Sequence, residues 1–279
     1  MPSLTGSNRR EPRCGYADDE QISTVSNVTN LREAGLKTNH RSITVILIFT
    51  SLLMLQAIPA YAMHITEGIL PAQWALLWFA VSAPFLFLGL RELNTRGQQD
   101  LHLKPMVGLI GAAVFIISCM PIPVPTAGTC SHPCGTGIAA IFIGPLLTVV
   151  VSSVALLLQA LFLAHGGLST LGANLVSMGI AGAFAGYGIF ILVKRLTGKW
   201  WIAAFLCGLL SDWATYSVTS LQLATALHGT APFGKFFLTV LLAFVPTQVP
   251  LGILEGFLCV GAYRFVLTRR PELLKIFAA

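Results

Sequence analysis

The sequence predicts an all-α, polytopic helical membrane protein with about seven transmembrane helices after removal of a leader. Three observations carry that reading. The 279 residues are 55% hydrophobic and only 10% charged, whereas a soluble domain is about 25% charged. The mean hydropathy is +0.77. Apolar runs near the ~20-residue length of a bilayer span recur at roughly 72–90, 105–122, 137–164, 171–193, 200–227 and 235–265. Lys and Arg lie mainly in the leader, between the runs and near the C-terminus, where they set topology. The net charge of +6 is therefore no sign of nucleic-acid affinity. The expected surroundings are membrane lipid.

Residues 1–42 are polar and unpatterned, with Asp18, Asp19 and Glu20 beside scattered basic residues. They resemble an over-long n-region more than a domain. Lys37 and Arg41 precede an apolar core at 43–58, and Pro59 ends it. Ala60-Tyr61-Ala62 then supplies a small-x-small cleavage signature. The expected division is a leader with a cleavable signal peptide at 1–62 and a transmembrane domain at 63–279. A retained signal anchor is the alternative. After cleavage eleven Lys/Arg stand against six Asp/Glu.

Charge places the loops. Arg91, Arg96 and Lys104 mark a cytoplasmic loop, as do Lys194, Arg195 and Lys199, and Arg269 and Arg270 mark a cytoplasmic tail. The mature N-terminus and the loop around His132 then lie outside. An odd number of crossings must separate His132 from Lys194, yet hydropathy shows two runs. A break at Gly144-Pro145, dividing 137–164 into two short helices, resolves the parity and gives seven helices.

Cleavage after Ala62 would also create a chelator. Met63 would carry a free α-amine with His64 in second place. The amine, the His64 amide nitrogen and the imidazole Nδ1 can close two fused rings around one ion. Such nitrogen ligation suits Ni(II), Cu(II) and low-spin Co(II). An internal Met-His pair cannot do this, because its N-terminal nitrogen is an amide.

His132 is the strongest internal candidate ligand. It sits in Thr129-Cys130-Ser131-His132-Pro133-Cys134-Gly135-Thr136-Gly137, on the same predicted side as His64. Glycines at 128, 135 and 137 let this loop fold inward. Cys130 and Cys134 could ligate metal, form a disulfide or simply be small loop residues. His165, also predicted outside, reads as a helix-terminal polar residue, with a further ligand as the alternative. His102 is cytoplasmic by the charge rule, and His228 ends a helix with no argued partner. Asp212 and Glu255 fall within or at the edge of late helices, where buried carboxylates hold helices together or orient an imidazole. Glu67 lies just after the chelate. Cys119, Cys207 and Cys259 fall in apolar runs as small hydrophobes. Gly182-x-x-x-Gly186 marks a close helix approach, either internal or toward a partner subunit. Gly229-x4-Gly234-Lys235 is not a phosphate loop: Phe236 stands where Ser or Thr would bind magnesium, and no strand precedes it.

Together these residues resemble the CbiM family, the cobalt-specific substrate-capture components of energy-coupling factor transporters. The resemblance rests on Met63-His64-Ile65-Thr66-Glu67-Gly68-Ile69-Leu70-Pro71, on Gly128 to Gly137, and on Gln159 to Asn174. It continues through Ser211 to Leu223 and Gln248 to Gly256, so it covers essentially 63–265. It implies seven spans and metal held by Met63, His64 and His132. It implies partners as well: a transmembrane coupling subunit, cytoplasmic ATPase subunits and a small accessory membrane subunit. It places the protein in the bacterial inner membrane, multi-pass, with its mature N-terminus outside. Cys134 stands where this resemblance leads one to expect threonine.

The expected function is the substrate-specificity subunit of an ATP-driven cobalt(II) uptake transporter. It is not an enzyme, and ATP hydrolysis is expected on a separate partner. Cobalt(II) is the expected transported substrate. A nickel(II) capture subunit or a stand-alone metal carrier is the alternative, since the ligand set alone does not separate these metals. A membrane metalloenzyme is a third class. It would need an acid or base beside an open metal position, and no carboxylate here has motif spacing for that role.

Overall fold

Proline and glycine set where the apolar runs become helices. The structure is a computed structural model that describes residues 61–62, 64–120, 122–124 and 129–273. Pro71 precedes α1 (Ala72–Gln99), and α2 is Leu103–Ser118. The run at 137–164 divides at Gly144-Pro145 as expected, into α3 (Thr136–Ile143) and α4 (Pro145–Phe162). Gly144 between them adopts φ +81° and ψ 167°, which excludes a continuous helix. Pro145 then opens α4, where its missing N–H costs nothing. α5 (Leu171–Thr197) is π-helical across Leu175–Gly182. α6 (Trp200–Leu227) and α7 (Phe233–Arg269) complete the bundle, and α7 carries Pro246 and Pro250 internally.

Seven helices are thus present among the described residues, but they are unequal. Five are long and apolar enough to cross a membrane, and α2 is a shorter apolar helix. The eight residues of α3 reach only ~12 Å, so α3 is a half-helix and not a span. It runs inward and α4 returns, leaving His132 and His165 at the same end of the bundle. Apolar packing surrounds α3: seven of its eight residues are buried. Leucine, phenylalanine and valine side chains of α1 and α7 remain exposed, as with Phe87 at 66% and Phe257 at 64%. For a bundle whose solvent is lipid, such exposure is the expected outer surface.

A three-stranded patch lies against this end, built from β1 (Tyr61–Ala62), β2 (Ile122–Val124) and β3 (Thr129–Ser131). β3 is central, parallel to β1 and antiparallel to β2. Tyr61 pairs with Thr129 and Ala62 with Cys130. The rest of the expected leader, and Met63 itself, lie outside the described residues.

Small residues allow the helices to approach. A Cβ on Gly182 would sit 2.5 Å from Thr215 Oγ1, and one on Gly186 3.0 Å from the Cys207 carbonyl oxygen. The Gly-x-x-x-Gly motif therefore packs α5 on α6 inside this chain. Between α6 and α7, a Cβ on Gly208 would lie 2.4 Å from the Glu255 carbonyl oxygen. Backbone cannot yield there as a flexible side chain can. Gly208→Ala should destabilise the bundle by about 1–3 kcal/mol, the usual cost of overpacking. Thermal unfolding of the purified variant in detergent measures it, and an unchanged midpoint would contradict the packing described.

Candidate metal centre

Three connections converge at one end of the bundle: residues 64–71 before α1, 132–135 before α3, and 163–170 between α4 and α5. Local hydrogen bonds hold the first of them on α5. The Ile65 N–H donates to Asn174 Oδ1 at 2.9 Å, and Asn174 Nδ2 donates back to the Ile65 carbonyl at 3.1 Å. Thr170 Oγ1 donates to the same carbonyl at 2.5 Å. The residue after His64 is therefore fixed by a buried side chain, although it belongs to a loop. The third connection turns at the end of α4 through left-handed backbone, at Ala164 (φ +48°) and Gly166 (φ +78°). A Cβ on Gly166 would lie 3.3 Å from His64 Cβ, so glycine lets the two loops close on each other. Glu67 accepts the Ser169 N–H at 3.0 Å, which ties the same loops at the surface. The Ser169 side chain, and then this backbone N–H, hold its carboxyl below the ordinary glutamate value.

His64, His132 and His165 meet here. Their ring centroids are 4.8 Å (64–132), 4.9 Å (64–165) and 4.9 Å (132–165) apart. One ring nitrogen from each lies within 4.8 Å of the others. His132 Nδ1 contacts the Pro133 carbonyl oxygen at 3.0 Å. With Nδ1 as the donor, Nε2 keeps its lone pair for a ligand role. Nε2 of His165 is buried without a hydrogen-bond partner, an arrangement that a bound cation would satisfy; Nε2 of His64 is likewise unpartnered, whereas the expected chelate uses that ring's Nδ1. Ser118, Cys119, Gln159 and Leu163 line the adjoining cavity of about 200 Å³ with His132 and His165. Gln159 Nε2 donates to Ser118 Oγ at 2.8 Å.

Proton affinity at this cluster is low. Burial, and then the neighbouring His132 and His165, push the His64 imidazole well below its ordinary value, with Gln159 acting in the opposite direction. Burial and then His165 bring His132 down to about 4. Burial lowers His165 as well. All three rings are therefore neutral at neutral pH, the form that binds metal. The sign for stability follows. Below the ordinary histidine value of ~6.5 the unfolded chain takes up protons that the folded chain refuses. Stability is thus intact above that value and falls as pH drops toward the folded values. The metal-free protein should melt at lower temperature at about pH 5 than at about pH 7, and a flat profile would contradict neutral burial of these rings.

The structure brings His64 and His132 together as the sequence predicts. It corrects the reading of His165 as a helix-terminal polar residue, because the ring joins the cluster. The clue available in the sequence was its predicted side of the membrane, shared with His64 and His132. Asp212 and Glu255 fall outside this trio and gather with Cys134. Cys134 is a free thiol, so the disulfide alternative is not realised at that residue. His102 is exposed, and His228 contacts the Ala231 carbonyl oxygen through Nδ1 at 3.2 Å.

Known proteins are similar to this chain. The family model described as CbiM, cobalt uptake substrate-specific transmembrane region, matches residues 64–273. A cobalt transport protein CbiM from Geobacter sulfurreducens is 62% identical over 221 residues, 79% of this chain and 64% of that protein. The chain thus spans just under two thirds of that relative's length. One from Sorangium cellulosum is 58% identical over 212 residues, 76% of this chain and 94% of that protein. Among solved structures, a truncated transition metal transporter superposes with a TM-score of 0.64 at 25% identity, covering 74% of this chain and 98% of its own. With most of its length matched by the family model and by these relatives, the chain belongs to the CbiM family of cobalt-uptake substrate-specific transmembrane proteins.

Proposed function

We propose that this chain is the substrate-specificity subunit of an ATP-driven cobalt(II) uptake transporter of the energy-coupling factor type. The observation that carries the reading is the three-histidine cluster directly after the expected cleavage point. Cleavage after Ala62 frees the Met63 amine, and that amine, the His64 amide and the His64 imidazole form the chelate. His132 and His165 close the coordination sphere from the other two loops. One feature that survives cleavage supports this: Ile65 is pinned to Asn174, so the residue after His64 is anchored beside the cluster.

The same reading sets the membrane orientation. The histidine cluster faces outward in the bacterial inner membrane. By alternation of the helices, Arg91, Arg96, Lys104, Lys194, Arg195 and Lys199 face the cytoplasm, as the distribution of basic residues favours. This chain carries no nucleotide-binding motif. Energy therefore comes from cytoplasmic ATPase subunits through a transmembrane coupling subunit, with a small accessory membrane subunit completing the assembly. Cobalt(II) is the substrate. Nickel(II) would fit the same nitrogen set, so discrimination rests on the shape of the cavity around the three rings.

Cellular accumulation tests the assignment. Bacteria lacking their own cobalt uptake should accumulate cobalt from submicromolar medium when they express this chain with its coupling and ATPase partners. An ATPase variant that cannot hydrolyse ATP should accumulate none. Equal accumulation by the chain alone would instead indicate a stand-alone carrier.

A further inference from the structure

Cys134, Asp212 and Glu255 form a second cluster that the outer site does not use. One ligand atom from each lies within 4.8 Å of the others. The three residues are 1%, 0% and 2% exposed. Glu255 Oε1 accepts the Cys134 N–H, and the Cys134 thiol lies 3.8 Å from Asp212 Oδ1. The remaining oxygens, Asp212 Oδ2 and Glu255 Oε2, are buried without a hydrogen-bond partner. No Lys or Arg forms an ion pair with either carboxylate among the described residues; the pairs there are Arg96–Glu92 and Arg270–Glu272. Two carboxylates this close in an apolar interior cannot both keep their charge without a cation or a proton between them.

The position is as informative as the chemistry. Asp212 lies fifteen residues before the end of α6 at Leu227, about 22 Å along the helix. With its 28 residues α6 is about 42 Å long and overhangs a ~30 Å hydrocarbon layer by about 6 Å at each end when centred on it, so Asp212 lies near the middle of that layer. Only Pro133 separates His132 of the outer cluster from Cys134 of the inner one, so their Cα atoms are at most about 7 Å apart. The non-helical segment 132–135 descends from one cluster to the other and delivers the half-helix α3. Irregular backbone at membrane depth is tolerated where it lines a site.

We propose that Cys134, Asp212 and Glu255 form a second, inner binding site for a divalent transition-metal cation. A Cys134 thiolate and one carboxylate match its charge, the thiol proton passing to the other carboxyl, and a sulfur with carboxylate oxygens suits a borderline metal rather than magnesium or calcium. The site stands on its own geometry. Its role as the next station inward rests on the outer cluster being the capture site.

Cobalt(II) chloride titration of the purified mature protein in detergent tests it, read by bound metal per chain and by the near-ultraviolet thiolate-to-cobalt charge-transfer band. The wild type should bind two equivalents and show the band. His64→Ala should keep one equivalent and the band. The double variant Asp212→Asn, Glu255→Gln should keep one equivalent and lose the band, its retained outer equivalent showing that the bundle is folded. Cys134→Ser should remove the band, whereas Cys119→Ser, altering the thiol beside the outer cavity, should not. A single equivalent in the wild type that vanishes in His64→Ala would overturn the inner site, as would a band that survives Cys134→Ser. A single equivalent unaffected by His64→Ala but lost in the carboxylate double variant would instead uphold the inner site and remove the outer one.

Discussion

Adding one residue before Met63 should abolish high-affinity cobalt binding at the outer site, although every side chain of the protein remains. The extension turns the Met63 amine into an amide and removes the nitrogen that opens the chelate. Residues that merely support a metal ligand cost about 10–100-fold in affinity when lost. Removing a ligand that anchors two fused rings should exceed that range. Isothermal titration of the extended and native forms gives the comparison, and comparable affinities would remove the chelate from the account. Replacing Met63 by another residue that still carries a free amine should change little.

His64→Ala should have an effect of the same size. It opens one chelate ring and removes an imidazole whose neutral form is favoured by burial. The other two rings grade below it. His132→Ala removes a single-point ligand and should weaken capture by at least the ~10–100-fold that a supporting residue costs, leaving residual binding by the N-terminal chelate. His165 contacts both other rings, so His165→Ala should also weaken binding, by about tenfold or more. Titrations on the three variants check the order. A His165→Ala protein with wild-type affinity would return that ring to a structural role. Proton competition adds a further readout. Because the imidazoles already resist protonation, the loss of affinity on mild acidification should come from the N-terminal amine, whose ordinary value is ~7.7–8.0, and from the His64 amide, which releases its proton on binding metal.

The legible parts of the fold were those that local chemistry dictates. Gly144-Pro145 broke an apolar run because glycine can take a backbone that ends one helix and proline can open the next. The basic loops set alternation, and alternation brought His64 and His132 to one end. The unequal depth of α3 was harder to read. Hydropathy reports that a segment is apolar and cannot distinguish a half-helix wrapped by protein from a span facing lipid. The π-helical stretch Leu175–Gly182 likewise has the composition of any apolar helix.

The site was legible where chain position itself created chemistry, as at Met63-His64. His165 was not, because its partners lie about 30 and 100 residues away and only the closure of glycine-bearing loops joins them. The inner cluster was less visible still. Cys134 meets Asp212 and Glu255 through the depth at which the 132–135 segment ends, and depth depends on how α3, α6 and α7 pack. Gly208 and Gly137 set that packing by letting backbone meet backbone. A sequence reading could flag both carboxylates as intramembrane acids, but it had no means of choosing their partner.

Anomalous diffraction at the cobalt edge, from crystals of the mature protein soaked in cobalt(II), tests the central claim most directly. The account predicts a peak among His64, His132 and His165, within bonding distance of the Met63 amine nitrogen. Absence of a peak there, or a peak ligated by imidazoles with the Met63 amine turned away, would contradict it.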